Sequence, residues 1–110
     1  MSFDVVATES FERKIKRLAK KYRSIKSDLL PIIDELCEQP RLGISIGKDC
    51  YKIRVTISSK GRGKSGGAHL IIFVRITKET VYLLDIYDKS EQETITDKEI
   101  EILIGLLSGD

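Results

Sequence analysis

The chain has 110 residues and a formal net charge of +2, and a chain of this size forms one compact domain. Its hydrophobic fraction of 41% and charged fraction of 33% are typical of globular proteins and argue against disorder. No apolar run approaches the roughly 20 residues that cross a bilayer, and the N-terminus lacks a basic and apolar signal region. Cys37 and Cys50 are too few for a disulfide scaffold and lack metal-ligand spacing. We therefore expect a cytoplasmic protein without a metal or a small-molecule cofactor.

Positive and negative charges are segregated along the chain. Residues 11–26 and 48–78 each hold eight lysines or arginines against one acid, whereas residues 79–110 hold two lysines against nine acids. Segregation on this scale suggests a surface that faces a polyanion, beside an acidic flank. The alternative is that these charges form solvated helix faces and a charged loop, and charge alone does not separate the two interpretations.

Two helices are predicted after a short first strand at residues 3–6. The first covers residues 8–22, begins at a threonine suited to capping, and has an apolar stripe with a basic outer face. The second covers roughly residues 24–38. Because Pro31 lies inside this pattern, the second helix is expected either to start nearer Ser27 or to bend.

Three strands and a third helix are predicted in the second half. Residues 51–58 alternate between apolar and polar side chains, which is typical of a half-buried strand. Residues 69–76 and 80–87 form two further strands joined by a short turn. Residues 96–99 form a capping box that opens a helix with one apolar face. The sequence predicts an α+β fold in the order strand, two helices, three strands, helix, with a small, mostly antiparallel twisted sheet and the helices packed on one face.

The parity of the last two strands predicts which side chains face away from the helices. Even-numbered residues of the segments 70–76 and 82–86 are apolar, so we expect them to meet the helices. A turn centred on Lys78 then places His69 opposite Tyr87 on the other face.

A glycine-rich loop occupies residues 58–67 and has three cations but no acid. Gly63-Lys64-Ser65 looks like the end of a nucleotide-binding phosphate loop. That motif requires a glycine where Ser58 stands and a helix where a strand is predicted, so we exclude nucleoside-triphosphate binding. The loop is expected to bind an anion through its cations and its backbone N–H groups. The alternative is a hairpin connection that its charges keep soluble.

The loop and the open face of the sheet are expected to meet. Arg54 and Lys52 lie on the polar side of the strand that precedes the loop, and the loop leaves that strand at the end where His69 and Tyr87 are predicted. We therefore expect a concave surface on which Arg54, His69 and Tyr87 converge with the basic loop.

The segments YKIRVTISSKGRGKSGGAHLIIFVRI and VYLLDIYDKSE resemble the RelE/ParE superfamily of bacterial toxins from toxin–antitoxin pairs. They are most similar to its HigB-like branch, which carries a KGKGKSGG-type loop, and the resemblance covers almost the whole chain. It implies a RelE-like fold and a cytoplasmic toxin that enters the ribosomal A site and cuts mRNA without a metal. It also implies a cognate antitoxin, often a helix-turn-helix protein.

The reaction that the resemblance implies is attack of a ribose 2′-OH on the adjacent phosphate, which leaves a 2′,3′-cyclic phosphate. That chemistry requires a proton acceptor, cations that stabilise the phosphorane and a donor for the leaving 5′-oxygen. The substrate must be RNA, because DNA lacks the nucleophile.

By position, the family's basic strand residue matches Arg54, and the basic residue after the last strand matches Lys89. The family often has an arginine where this chain has His69, which is less permanently cationic but can transfer protons. Tyr87 is expected either to stack on a base or to transfer a proton, or simply to cap the edge of the sheet. The candidate catalytic residues are thus Arg54, His69, Tyr87 and Lys89, and the candidate RNA-binding residues are Lys52, Lys60, Arg62 and Lys64.

Two other functions stay open at this point. One is a DNA gyrase poison without nuclease chemistry, as in the ParE branch, and the other is a catalytically weakened domain that mainly binds its antitoxin. The cluster of Arg54, His69, Tyr87 and Lys89 favours the ribosome-dependent endoribonuclease, because gyrase poisoning requires no such cluster.

Overall fold

A computed structural model describes residues 2–60, 67–92 and 94–107, which form a five-stranded mixed sheet with three helices. The elements are β1 (Asp4–Ala7), α1 (Glu9–Lys21), α2 (Ile25–Glu38), β2 (Ile44–Gly47), β3 (Cys50–Val55), β4 (Ala68–Arg75), β5 (Thr80–Asp88) and α3 (Asp97–Gly105). The strand order is β1-β5-β4-β3-β2; β1 is parallel to β5, and the other neighbours are antiparallel. The predicted α+β class and mostly antiparallel sheet are confirmed.

The helices begin close to their predicted positions. Thr8 caps α1 by accepting a hydrogen bond from the backbone N–H of Phe11, and Thr96 begins the predicted capping box of α3. Helix α2 begins before Ser27 and continues through Pro31, so a start near Ser27 is wrong. Proline removes the N–H that would bond to the Ser27 carbonyl, and Ser27 lies at an exposed position of the helix. None of the helices in the described ranges is long and apolar enough to cross a membrane.

The sheet separates two apolar cores. Helices α1 and α2 pack on one face, which includes Leu70 and Ile72 of β4. Helix α3 packs on the opposite face, against Ile71 and Phe73 of the same strand. The expectation that the helices share one face therefore holds for α1 and α2 only. Its physical reason is that the odd-numbered residues in the middle of β4 are also large and apolar, so the second face requires a cover of its own.

A β-bulge in β5 changes the predicted parity. The register between β4 and β5 shifts between Ile71 and Ile72, which makes Leu84 an extra residue in β5. A bulge places two successive side chains on the same side of a sheet. Tyr82 and Leu84 consequently lie on the α3 side, contrary to the predicted parity, whereas Ile86 lies on the α1 and α2 side as predicted.

Strand β2 was not predicted. It forms the edge of the sheet beside β3, and the two are joined by a tight turn in which Lys48 and Asp49 have φ angles of 57° and 60°. Such left-handed conformations are typical of two-residue hairpin turns, and aspartate tolerates them better than most residues.

Candidate functional site

The register of β3, β4 and β5 places three of the predicted catalytic residues in one row across the sheet. Arg54 of β3 pairs with His69 of β4, and His69 pairs with Tyr87 of β5. Residues directly opposite in antiparallel strands have Cβ atoms about 5 Å apart. The rings of His69 and Tyr87 meet edge to face, with centroids 5.5 Å apart and an interplanar angle of 83°. The predicted pairing of His69 with Tyr87 is confirmed.

A shallow pocket of about 480 Å³ opens beside this row. Its lining residues are Ile44, Lys52, Arg54, His69, Lys89 and Thr94. Three of them are lysines or arginines, and none of the described lining residues is acidic. The pocket is therefore a basic surface around a single imidazole, suited to an anionic ligand.

The backbone after β5 places Lys89 in this pocket. The N–H of Lys89 donates a hydrogen bond of 2.9 Å to the carbonyl of Gly67, just before β4. Gly67 has a φ of +141°, and a Cβ there would lie 2.4 Å from the carbonyl oxygen of Val55. A side chain at this position would therefore force β3 and β4 apart, and glycine allows the close approach that brings Lys89 near His69.

The charges around the pocket act on His69. Burial lowers the pKa of His69 below its ordinary value of 6.5, and the positive charges of Lys52, Lys89 and Arg54 lower it further. The ring is therefore largely neutral at pH 7. Its Nδ1 atom is buried and has no hydrogen-bond partner within the described part of the chain. A neutral imidazole can accept a proton from a ligand. The three cations beside it can bind a phosphate group of the same ligand.

The ring of Tyr87 contacts His69 from the apolar core that α3 covers. The side chain is only 4% exposed and belongs to the apolar core beneath α3. Burial raises the pKa of Tyr87, and the nearby carboxylates of Asp85 and Glu99 raise it further, so the hydroxyl stays protonated at neutral pH. The buried ring presents little surface for stacking on a base, and its edge-to-face contact orients His69.

Lys60 lies apart from this pocket. Its ammonium group is 3.4 Å from a carboxylate oxygen of Asp88 and 5.4 Å from the centre of the Tyr22 ring, and its side chain is only 18% exposed. The structure thus brings Lys52 together with the predicted catalytic residues but does not bring Lys60 to them. The predicted RNA contacts of Arg62 and Lys64 lie outside the described residues and stay predictions.

Two residues of the pocket were missed by the sequence analysis. Ile44 of β2 is 69% exposed beside the cations, and Thr94 lies between β5 and α3. A four-residue edge strand shows too little alternation to be recognised, so nothing in the sequence placed Ile44 next to Lys52. Thr94 is in an irregular segment, for which the sequence carries no positional signal.

A second groove lies between α1 and α3 and has a volume of about 350 Å³. Arg13, Lys14 and Arg17 of α1 are among its lining residues, together with Ile102 of α3. The ammonium group of Lys14 is 2.9 Å from the buried carboxylate of Asp85, so this groove, unlike the first pocket, contains a paired cation.

Comparison with known proteins agrees with this fold. Residues 10–106 match the family described as the RelE toxin of the RelE / RelB toxin–antitoxin system. A double arginine-to-alanine mutant of the E. coli toxin RelE in the free state is 23% identical, with a TM-score of 0.60, covering 84% of this chain and 90% of that one. The E. coli RelBE toxin–antitoxin complex is 20% identical, with a TM-score of 0.60, covering 79% of this chain and 96% of that one. The isolated E. coli RelE toxin is 20% identical, with a TM-score of 0.57, covering 96% of this chain and 100% of that one.

At these identities the structural matches show the fold, while the family match shows the relationship. The resemblance to the HigB-like branch rests on the loop sequence and stays a prediction. The family match covers most of the chain, from the first turn of α1 to the end of α3, and this protein belongs to the RelE toxin family.

Proposed function

We propose that this protein is the toxin of a toxin–antitoxin pair and that it stops translation by cutting mRNA on the ribosome. The observation that carries the proposal is a neutral His69 ring in a pocket with three cations, Lys52, Arg54 and Lys89. Membership of the RelE toxin family supports the same function. The reaction is metal-independent, because the pocket residues supply both the proton acceptor and the positive charge that it requires.

His69 begins the proposed reaction by accepting the proton of a ribose 2′-OH. The 2′-oxygen then forms a bond to the adjacent phosphorus, and the bond from phosphorus to the 5′-oxygen breaks. The products are a 2′,3′-cyclic phosphate and a free 5′-OH, whose proton comes from the exposed ammonium group of Lys89. Tyr87 orients the His69 ring through its edge-to-face contact.

The cations of the pocket are proposed to bind the phosphate and to stabilise the phosphorane. Arg54 is exposed and directly opposite His69, so its guanidinium is placed to contact the phosphate that the 2′-oxygen attacks. Lys52 is half-buried in the same pocket. Positive charges fixed before the reaction stabilise the developing phosphorane at little reorganisation cost. Lys60, Arg62 and Lys64 are proposed contacts to the RNA backbone outside this pocket.

The proposed partners are the ribosomal A site, the mRNA in it and an antitoxin. The E. coli toxin RelE, which shares the fold, is seen in complex with its antitoxin RelB and with a peptide of that antitoxin. We infer that this chain also has a protein antitoxin, and the resemblance described above favours a small helix-turn-helix protein. An antitoxin with acidic segments would compete with RNA for the basic pocket.

The experiment adds the purified protein to a coupled transcription–translation reaction and maps mRNA ends by primer extension. Cuts are expected only in translated mRNA, and Arg54→Ala and His69→Ala should each weaken them by about 100-fold or more. Arg41→Ala removes an exposed cation that does not line the pocket and should cut like the wild type. Cuts in untranslated mRNA, or equal cutting by all variants, would contradict the proposal. In cells that express the protein, growth arrest with intact mRNA would also contradict it and would direct attention to gyrase.

A further inference from the structure

We propose that Asp88, a buried carboxylate outside the pocket, is a positioning residue that keeps Lys89 beside His69. Asp88 is the last residue of β5 and Lys89 follows it directly. The predicted effect on catalysis rests on the proposed function, whereas the predicted effect on the His69 environment does not.

Asp88 is the centre of a cluster of polar contacts. The residue is 1% exposed, and its carboxylate accepts hydrogen bonds from the Tyr22 hydroxyl at 2.5 Å and from the Ser90 N–H and hydroxyl at 2.9 and 2.8 Å. The ammonium groups of Lys60 and Lys21 lie 3.4 and 3.6 Å from its two oxygens. Both lysines also lie over the Tyr22 ring, at 5.4 and 5.3 Å from its centre.

These contacts join three distant parts of the chain. Tyr22 is the C-cap of α1, Lys60 ends the short 3-10 turn after β3, and Ser90 follows β5. The backbone carbonyl of Asp88 also accepts hydrogen bonds from the N–H groups of Glu91 and Gln92, at 3.0 and 3.1 Å. The turn that leaves β5 is therefore fixed both by the carboxylate and by the carbonyl of one residue.

Lys89 lies inside that turn. Its neighbours on both sides belong to the cluster, and its own N–H bonds to the carbonyl of Gly67. In Asp88→Asn, Lys60 and Lys21 lose their ion-pair partner, and the single amide oxygen replaces only one of the two acceptors that Ser90 and Tyr22 use, so the turn and the end of β3 are tied together less firmly. Since a misplacement of about 1 Å near a reacting group can cost about 100-fold in rate, such loosening is sufficient to matter.

The pKa of His69 reports the position of Lys89. His69 is the only histidine of the chain, so its ring resonances in an NMR titration are unambiguous. If Asp88→Asn only removed a negative charge, the pKa of His69 would fall, because an anion favours the imidazolium. If Lys89 moves away, the pKa of His69 rises, because that ammonium group now lowers it. The sign of the change separates the two effects.

We expect the pKa of His69 to rise in Asp88→Asn, and a fall or no change would overturn the proposal. Lys89→Met should raise the pKa of His69 as well, and adding Asp88→Asn to it should produce no further rise. A further rise in the double variant would show that Asp88 does not act through Lys89. Asp28→Asn is the matched control, because Asp28 also accepts hydrogen bonds from two serines, Ser24 and Ser58, yet it does not line the pocket.

Ser90→Ala provides a milder test in case Asp88→Asn does not fold. It removes the 2.8 Å hydrogen bond to Asp88 and leaves the charges of the chain unchanged. A smaller rise in the pKa of His69 is expected, and an unchanged pKa would contradict the proposal.

The activity measurement uses mRNA cleavage on programmed ribosomes. Asp88→Asn is expected to lower kcat about tenfold while KM changes less than about twofold, because the substrate-binding cations remain. An equal kcat would overturn the effect of Asp88 on catalysis through Lys89. If the wild type fails to cut mRNA, the proposed function fails, and the titration of His69 still decides whether Asp88 positions Lys89.

Discussion

The cations around Asp88 and the cations in the pocket beside His69 differ in whether an acidic partner lies next to them. Around Asp88, two lysines lie within 4 Å of a buried carboxylate. In the pocket beside His69, none of Lys52, Arg54 and Lys89 has an acidic partner within the described ranges.

The difference separates a structural cluster from the proposed binding surface. Paired charges that are fully hydrogen-bonded hold elements together, and removing one member leaves the others uncompensated. Unpaired like charges repel one another and oppose folding, so their gathering at one site favours the proposal that this surface binds an anionic ligand. Substitutions in the pocket should therefore change activity with little effect on stability, whereas substitutions of Asp88 should lower stability and, through Lys89, also activity.

His69→Ala should have the largest effect. We expect single-turnover cleavage on programmed ribosomes to fall about 1,000-fold, which corresponds to about 4 kcal/mol in activation free energy. The midpoint of urea unfolding should change little, because the ring makes no hydrogen bond through its buried Nδ1 within the described residues. Unfolding at a much lower urea concentration, with activity lost in proportion, would contradict the distinction between the clusters.

Asp88→Ala should produce the largest loss of stability, about 3 kcal/mol in the free energy of unfolding at pH 7. Burial alone would raise the pKa of Asp88, but hydrogen bonds from Tyr22 and Ser90 and the charge of Lys60 outweigh it and hold that pKa well below its usual range. A depressed carboxylate pKa contributes stability above the unfolded-state value of about 3.9, and this contribution is lost as the pH falls. The difference between wild type and variant should therefore shrink in urea titrations below about pH 4. A difference that is constant across that range would contradict this assignment.

Tyr22→Phe tests one contact of the same cluster. The variant keeps the ring that both lysines contact and removes the hydroxyl that donates to Asp88. We expect a loss of about 2 kcal/mol in the free energy of unfolding, the usual contribution of a hydrogen bond to a charged group. Thermal unfolding followed by circular dichroism would measure it, and an unchanged midpoint would show that the 2.5 Å contact adds little.

Lys52→Met should have the smallest effect on stability, within about 0.5 kcal/mol of the wild type. Removing one of the unpaired cations should raise the pKa of His69, since Lys52 now lowers it. Cleavage should fall about tenfold, because the phosphorane loses one stabilising charge. A marked loss of stability with unchanged cleavage would place Lys52 with the structural cations instead.

The pairing at the site could be predicted because strand alternation fixes register. The apolar parity of β4 placed His69 on the face opposite Leu70, and a short turn then determined its partner Tyr87. The bulge in β5 could not be predicted, because Leu83 and Leu84 are both apolar and either one suits either face. Next to the turn the register differs from the prediction by one residue, since Arg75 pairs with Thr80 and not with Val81. The extra residue of the bulge cancels this difference, so the predicted pairing of His69 with Tyr87 holds.

The Asp88 cluster could not be predicted for a different reason. Its members are far apart in the chain: 66 positions separate Tyr22 from Asp88, and 28 separate Lys60 from it. Periodicity gives no information on such contacts, which depend on how α1 packs across β5. A buried aspartate next to an exposed lysine, Lys89, looks the same in the sequence as two solvated charges.

The pH dependence of cleavage tests the central claim, that a neutral His69 accepts the 2′-OH proton, most directly. Cleavage on programmed ribosomes would be measured between about pH 5.5 and 8 at subsaturating concentrations, where the rate follows kcat/KM and reports the pKa of the free protein, and the pKa of His69 would be determined by NMR on that protein. Since burial and the cations of the pocket lower that pKa below 6.5, the rate should be constant near neutrality and fall with acid, with an apparent pKa equal to that of His69. A rate that stays constant through the titration of His69, or one that rises as the ring is protonated, would contradict the account.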